Sequence, residues 1–170
     1  VDHDELDRLA LAAEQGGPTL VPYLDGERVP DLPDATGRLV GLRSDVSREQ
    51  LARAAIDGVV CGLLDGLDAL RTHATVSGRL VLTGGATRSV AVRAAVAALC
   101  DLPVVTAPVE ESVAAGACVQ AAAVLGRESP DLVAERWGLA ERTPVEPMRA
   151  GIDVSDVRGR YAEARRELGA

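Results

Sequence analysis

The chain has 170 residues, 47% of them apolar, a formal net charge of −8, no Phe, one Trp and two Tyr. That length suffices for one domain with an aliphatic, small-sided core, and the acidic balance excludes a general nucleic-acid binder, which needs a basic face to displace counterions. No apolar run reaches bilayer length, and the acidic start Val1-Asp2-His3-Asp4-Glu5 lacks the basic region of a signal peptide, so a cytoplasmic protein with no membrane partner is expected.

Asp2 to Ala13 reads as a short helix, with Leu6, Leu9 and Ala13 at helical spacing, broken by Gly16-Gly17-Pro18. Leu20 to Leu24 is a short extended segment with Pro22 inside, fit for an edge position. Asp25-Gly26-Glu27-Arg28-Val29-Pro30 is a charged turn, and Arg38 to Leu42 is a strand. Ser47-Arg48-Glu49-Gln50 fits a capping box and opens the longest helix. Its expected core stripe is Leu51, Ala55, Val59, Leu63, Leu67 and Leu70, while Gly58, Gly62 and Gly66 form a ridge for close packing. Arg79 to Thr83 is a buried strand, Arg88 to Cys100 a helix and Pro103 to Thr106 the next strand. Glu110 to Leu125 is a helix with acids in its first turn, where the dipole favours them, and Gly126 ends it. A short helical turn near Trp137, a Pro-containing connector and a helix over Ser155 to Leu168 complete the chain. The alternation of strand and helix indicates an α/β sheet with crossover connections.

The chemistry concentrates at Leu80-Val81-Leu82-Thr83-Gly84-Gly85-Ala86-Thr87-Arg88-Ser89. Two residues without Cβ between a strand and a helix let a ligand approach the backbone, and the helix would aim N–H groups and its positive end at that ligand. A nucleotide fits this pattern; so does a turn that carries glycine for steric reasons alone. All 18 basic residues are Arg, so a phosphate-loop or Schiff-base lysine is impossible within the chain. Cys61, Cys100 and Cys118 have no close spacing and read as buried free thiols, and no Cys/His cluster has zinc-site spacing. Asp25, Asp57 and Asp65 are explained as solvated turn or helix positions, and Arg28 by a local pair with Glu27 or Asp25. Arg88 fits contact with a nucleotide or with a neighbouring carboxylate, and Trp137 an anchor for the C-terminal tail.

Four motifs in order resemble the C-terminal domain of the FGGY carbohydrate kinases, and within them the xylulokinases. Pro22-Tyr23-Leu24-Asp25-Gly26-Glu27-Arg28-Val29-Pro30 is similar to a PYL-x-GER-x-P loop. Gly37-Arg38-Leu39-Val40-Gly41-Leu42, with Gln50-Leu51 and Ala54-Ala55-Ile56-Asp57, fits the family signature around its strand and long helix. Gly84-Gly85-Ala86-Thr87-Arg88-Ser89 is similar to the GGGARS adenosine motif, and Glu110-Glu111-Ser112-Val113-Ala114-Ala115-Gly116-Ala117 to the EES-x-x-GA helix. The resemblance implies an actin-like ATPase fold of the ribonuclease H type, as the C-terminal portion of a two-domain sugar kinase. The division it implies is an ATP-binding domain, incomplete, over 1–128 and its helical tail over 129–170. ATP and Mg2+ are the implied cofactors, with adenosine against Gly84, Gly85 and Ala86 and Ser89 facing the base. The implied reaction carries the γ-phosphoryl group to a sugar hydroxyl, D-xylulose first, with gluconate, ribulose or glycerol as alternatives. A nucleotide-binding module without catalysis is the reading from another class. The implied partners are the sugar, ATP and an N-terminal kinase domain, with a homodimer as an open alternative. The catalytic Asp and the loop for the β/γ-phosphates of such a kinase would lie upstream of Val1, and Ala86 replaces a glycine of the motif.

Overall fold

The computed structural model describes residues 2–14, 16–109, 111–147 and 153–168. Helix α1 spans His3–Ala12, with Asp2 as its N-cap accepting the Glu5 N–H at 2.8 Å. Strands β1 (Thr19–Val21) and β2 (Arg38–Val40) form an antiparallel pair. Helix α2 follows over Arg48–Arg71. Its capping box is complete: Ser47 Oγ accepts from the Gln50 N–H at 3.2 Å, and Gln50 Oε1 accepts from the Ser47 N–H at 3.1 Å.

Strands β3 (Leu80–Leu82) and β4 (Val104–Thr106) are parallel, joined through helix α3 (Val90–Leu99). Helices α4 (Ser112–Gly126) and α5 (Pro130–Arg136) come next, then strand β5 (Thr143–Pro144), antiparallel to β4, and helix α6 (Val154–Arg166). Proline in β5 is tolerated because the strand lies at the sheet edge. The main core joins Leu9, Val21, Tyr23, Ile56, Val60, Val96 and Tyr161, so α1, α2, α3 and α6 share one interior. A second, smaller cluster joins α4 to α5 through Val119, Ala123 and Val133.

The structure corrects several expectations. The buried residues of α2 are Ala52, Ala54, Ile56, Gly58, Val60, Cys61 and Leu64. Leu51, Val59, Leu63 and Leu70 of the expected stripe are exposed instead. The helix is apolar on two faces, and β1 approaches the one with small residues: a Cβ on Gly58 would lie 2.4 Å from the Leu20 carbonyl oxygen. The glycine ridge fades along its length, for Gly62 faces the Tyr161 hydroxyl at 3.3 Å and Gly66 meets nothing. Strand β3 is not fully buried, since it is an edge strand and Val81 is exposed.

Helix α3 starts at Val90 rather than Arg88, because a 3-10 turn over Gly85–Arg88 intervenes. In α4 no acid lies in the first turn: Glu111 is the N-cap, and Glu110 falls outside the described residues. Arg127, not Gly126, takes the left-handed cap. Only Cys61 is fully buried; Cys100 is half-buried and Cys118 exposed. Trp137 is 47% exposed at the end of α5, too open to anchor a tail.

Candidate functional site

Strand β3 delivers the chain to Gly84, whose φ of +83° is a left-handed conformation that favours glycine. The turn is then pinned from both ends. The Thr87 N–H and hydroxyl both donate to the Gly84 carbonyl, at 3.0 and 2.7 Å. The Arg93 guanidinium, one turn into α3, donates to the carbonyls of Thr87 and Arg88. Gly85 has an ordinary φ, and a Cβ there would meet nothing within 4 Å, nor would one at Gly84. Packing therefore does not require Gly85 to be glycine; its bare backbone leaves room.

That room is part of a cleft of about 690 Å³ between the turn and the start of α1. Gly85, Ala86, Arg88 and Ser89 line one side, and Asp2, His3, Asp4, Leu6 and Asp7 the other. Gly84 is not among the lining residues; it shapes the turn behind them. A second cavity of about 480 Å³ lies between α3 and β5, lined by Thr87, Val90, Arg93 and Thr106 among others.

Ser89 is the N-cap of α3 and accepts the Val92 N–H at 3.0 Å. Its hydroxyl donates to Asp7 Oδ1 at 2.5 Å, and the Val90 N–H donates to Asp7 Oδ2 at 2.6 Å. The first turn of α3 is thus already occupied by protein acceptors. This changes the expectation drawn from the sequence: the positive end of the helix is answered by the Asp7 carboxylate, and is not free for an anion. Asp7 is the residue that sequence reasoning missed. It sits in α1 three residues before the buried Ala10, and its partner is 82 residues away, so no local motif marks it.

The other acids are structural. Asp57 pairs with Arg53 at 2.7 Å, and its side chain is only 15% exposed. Asp65 meets Arg165 at 2.8 Å and Arg158 at 3.3 Å, clamping α6 onto α2. Neither is solvated as the sequence suggested; burial pushes both carboxyls above their usual range against the pull of these arginines. Asp25 is exposed on its turn. Glu27 spends one oxygen on the backbone N–H groups of Arg28 (2.7 Å) and Val29 (3.2 Å), which orders the loop without the expected side-chain pair to Arg28. Among the described residues, no three His, Cys, Asp or Glu side chains gather to hold a metal ion, and no helix is long and apolar enough to cross a membrane.

Comparison with known proteins gives this geometry its context. The sequence model of the FGGY family of carbohydrate kinases, C-terminal domain, matches residues 2–125. A xylulose kinase of Streptomyces rubiginosus is 42% identical over 153 residues, 89% of this chain and 31% of that protein. A xylulose kinase of Streptomyces coelicolor is 46% identical over 123 residues, 72% of this chain and 26% of its own length. The crystal structure of xylulose kinase from Bifidobacterium adolescentis superposes with a TM-score of 0.72 at 37% identity, over 97% of this chain and 32% of that one. Glycerol kinases and a gluconokinase match at lower identity. The chain spans about a third of the length of the relatives it matches. Its layered helices and parallel β3–β4 pair are a portion of the actin-like ATPase fold of those kinases. With its fold and its sequence both matched over most of their length, the chain belongs to the FGGY family of carbohydrate kinases, as part of its C-terminal domain.

Proposed function

We propose that this chain is the ATP-binding part of a sugar kinase that transfers the γ-phosphoryl group of ATP to D-xylulose, giving D-xylulose 5-phosphate. The observation that carries the reading is Gly85, a glycine that neither its φ nor its packing requires, facing a cleft of about 690 Å³ at the end of a parallel strand. Open α/β sheets bind ligands at the carboxyl ends of their strands. A planar base and a ribose fit against a backbone with no Cβ, so the residues present suit an adenosine. Bound ATP supplies the phosphoryl group. Gly85 and Ala86 give it a floor, Gly84 holds the turn, Ser89 faces the base, and α1 forms the opposite wall.

Mg2+ would travel with the phosphates and be held by residues outside those described, since none of the described acids forms a metal cluster. The sugar, its binding domain and the general base of phosphoryl transfer are likewise assigned to the rest of a kinase-length chain. D-xylulose is favoured over gluconate and glycerol because the xylulose kinases match at 42% and 46% identity, against 33% for the gluconokinase and 31% for a glycerol kinase.

The test is a coupled assay on the full-length protein with D-xylulose, gluconate, ribulose and glycerol in parallel. D-xylulose should give the highest kcat/KM by about tenfold or more, a difference of about 1.4 kcal/mol. Preference for another substrate would move the assignment to that one. In the same protein, Gly85→Val should raise the KM for ATP about tenfold or more and leave that for sugar within about twofold, because branches on Cβ fill the room beside the turn. A folded variant whose sugar KM rises instead would show that Gly85 is only a turn residue.

A further inference from the structure

We propose that Asp7 and Ser89 form an acceptor-only pair that reads the exocyclic 6-amino group of adenine and so sets the base preference of the cleft; this rests on the nucleotide reading above. A serine hydroxyl has one proton and two lone pairs. The Ser89 proton is committed to Asp7 Oδ1 at 2.5 Å, and one of its lone pairs to the Val92 N–H at 3.0 Å. One lone pair is left. An ionised carboxylate has no proton to give. Asp7 Oδ2 accepts from the Val90 N–H at 2.6 Å, and each Asp7 oxygen keeps acceptor capacity. Both side chains line the cleft. A group arriving there meets acceptors from these two residues and no donor.

The charges fix which end of a nucleotide arrives. Asp2, Asp4 and Asp7 all line the α1 wall. A triphosphate placed against three carboxylates is repelled, whereas a neutral base is not. The base therefore lies toward α1 and the phosphates away from it. A 6-amino purine then presents a donor to the pair. A 6-oxo purine presents a third acceptor, and leaves buried polar groups unpaired, which is the arrangement that discriminates most strongly.

The test compares ATP with inosine triphosphate, which differs from it by the 6-oxo group, in the full-length kinase at saturating sugar. The wild type should favour ATP in kcat/KM by about tenfold or more. Asp7→Asn adds an amide donor, and the ATP-to-inosine ratio should fall about tenfold while the sugar KM stays unchanged. A purely structural cap would lower both nucleotides together and leave the ratio intact, which would overturn the proposal. If Asp7→Asn does not fold, Ser89→Ala serves: it removes one of the two acceptors and frees Asp7 from its anchor, so the ratio must fall, and an unchanged ratio overturns the pair. A wild-type ratio near one overturns it without any variant. Absence of ATP binding to the wild type by calorimetry marks the separate failure of the nucleotide reading, and this inference falls with it.

Discussion

Gly58 and Gly66 lie two turns apart on α2 and should answer oppositely to one substitution. A Cβ on Gly58 would press within 2.4 Å of a backbone oxygen in β1, which cannot swing aside. Gly58→Ala should therefore destabilise by about 1–3 kcal/mol through overpacking. A Cβ on Gly66 meets nothing within 4 Å, so Gly66→Ala should stabilise by about 0.5–1 kcal/mol through the entropy of the unfolded chain. Urea midpoints of the full-length variants would read both, and equal shifts would deny the local difference. The cysteines divide in the same way. Burial, aided by the charges of Asp57 and Asp65 and opposed by Arg158 and Arg160, pushes the Cys61 thiol up to about 12. The thiolate is the reactive form. A thiol reagent at neutral pH should label exposed Cys118 in the native protein and reach Cys61 only on unfolding; rapid native labelling of Cys61 would contradict the packing of α2.

At the scale of elements, α2 is held to its neighbours by buried charge. Asp57, beside Arg53 and Arg160, and Asp65, beside Arg165 and Arg158, are both raised by burial. A carboxyl raised in the folded state adds most to stability below its unfolded pKa, near pH 4, and loses that contribution as pH climbs through the folded value. Exposed Glu5 and Glu128, lowered by hydrogen bonds from Arg8 and Arg136, run the opposite way. Asp57→Asn should thus gain on the wild type between about pH 3 and about pH 7. Denaturation of both proteins at the two pH values measures the change, and a gap that is constant with pH would remove burial as the cause.

The same elements show what the sequence made legible. The Ser47–Gln50 capping box reads correctly because its residues are three apart and bond only to each other. The start of α3 reads two residues early, because a 3-10 turn and an α-helix begin with the same composition. The α2 stripe fails because the helix has two apolar faces, and the choice between them depends on β1, about 30 residues upstream. The glycine turn of the site was plain in the sequence; the Asp7 carboxylate that closes it was not, because its two partners are more than 80 residues distant.

At the scale of the whole molecule, the chain by itself should not phosphorylate D-xylulose. Its cleft offers a place for a base, while the buried acids are tied up in arginine pairs. Turnover by the purified 170-residue chain above a protein-free control would refute this. Strand β3 has a further consequence. It is the edge of the parallel pair, with Leu80 and Leu82 bonded toward β4 and the backbone of Val81 turned outward by the parallel pattern. An uncharged Leu-Val-Leu edge is a template for another strand. Val81→Lys should keep the isolated chain monomeric, where light scattering of the wild type should show mass rising with concentration. Loss of the wild-type chain on storage would then follow second-order kinetics, so dilution would preserve it better than cooling. Its shelf life would be a colloidal property, set by encounters between molecules, rather than a measure of how tightly each one is folded.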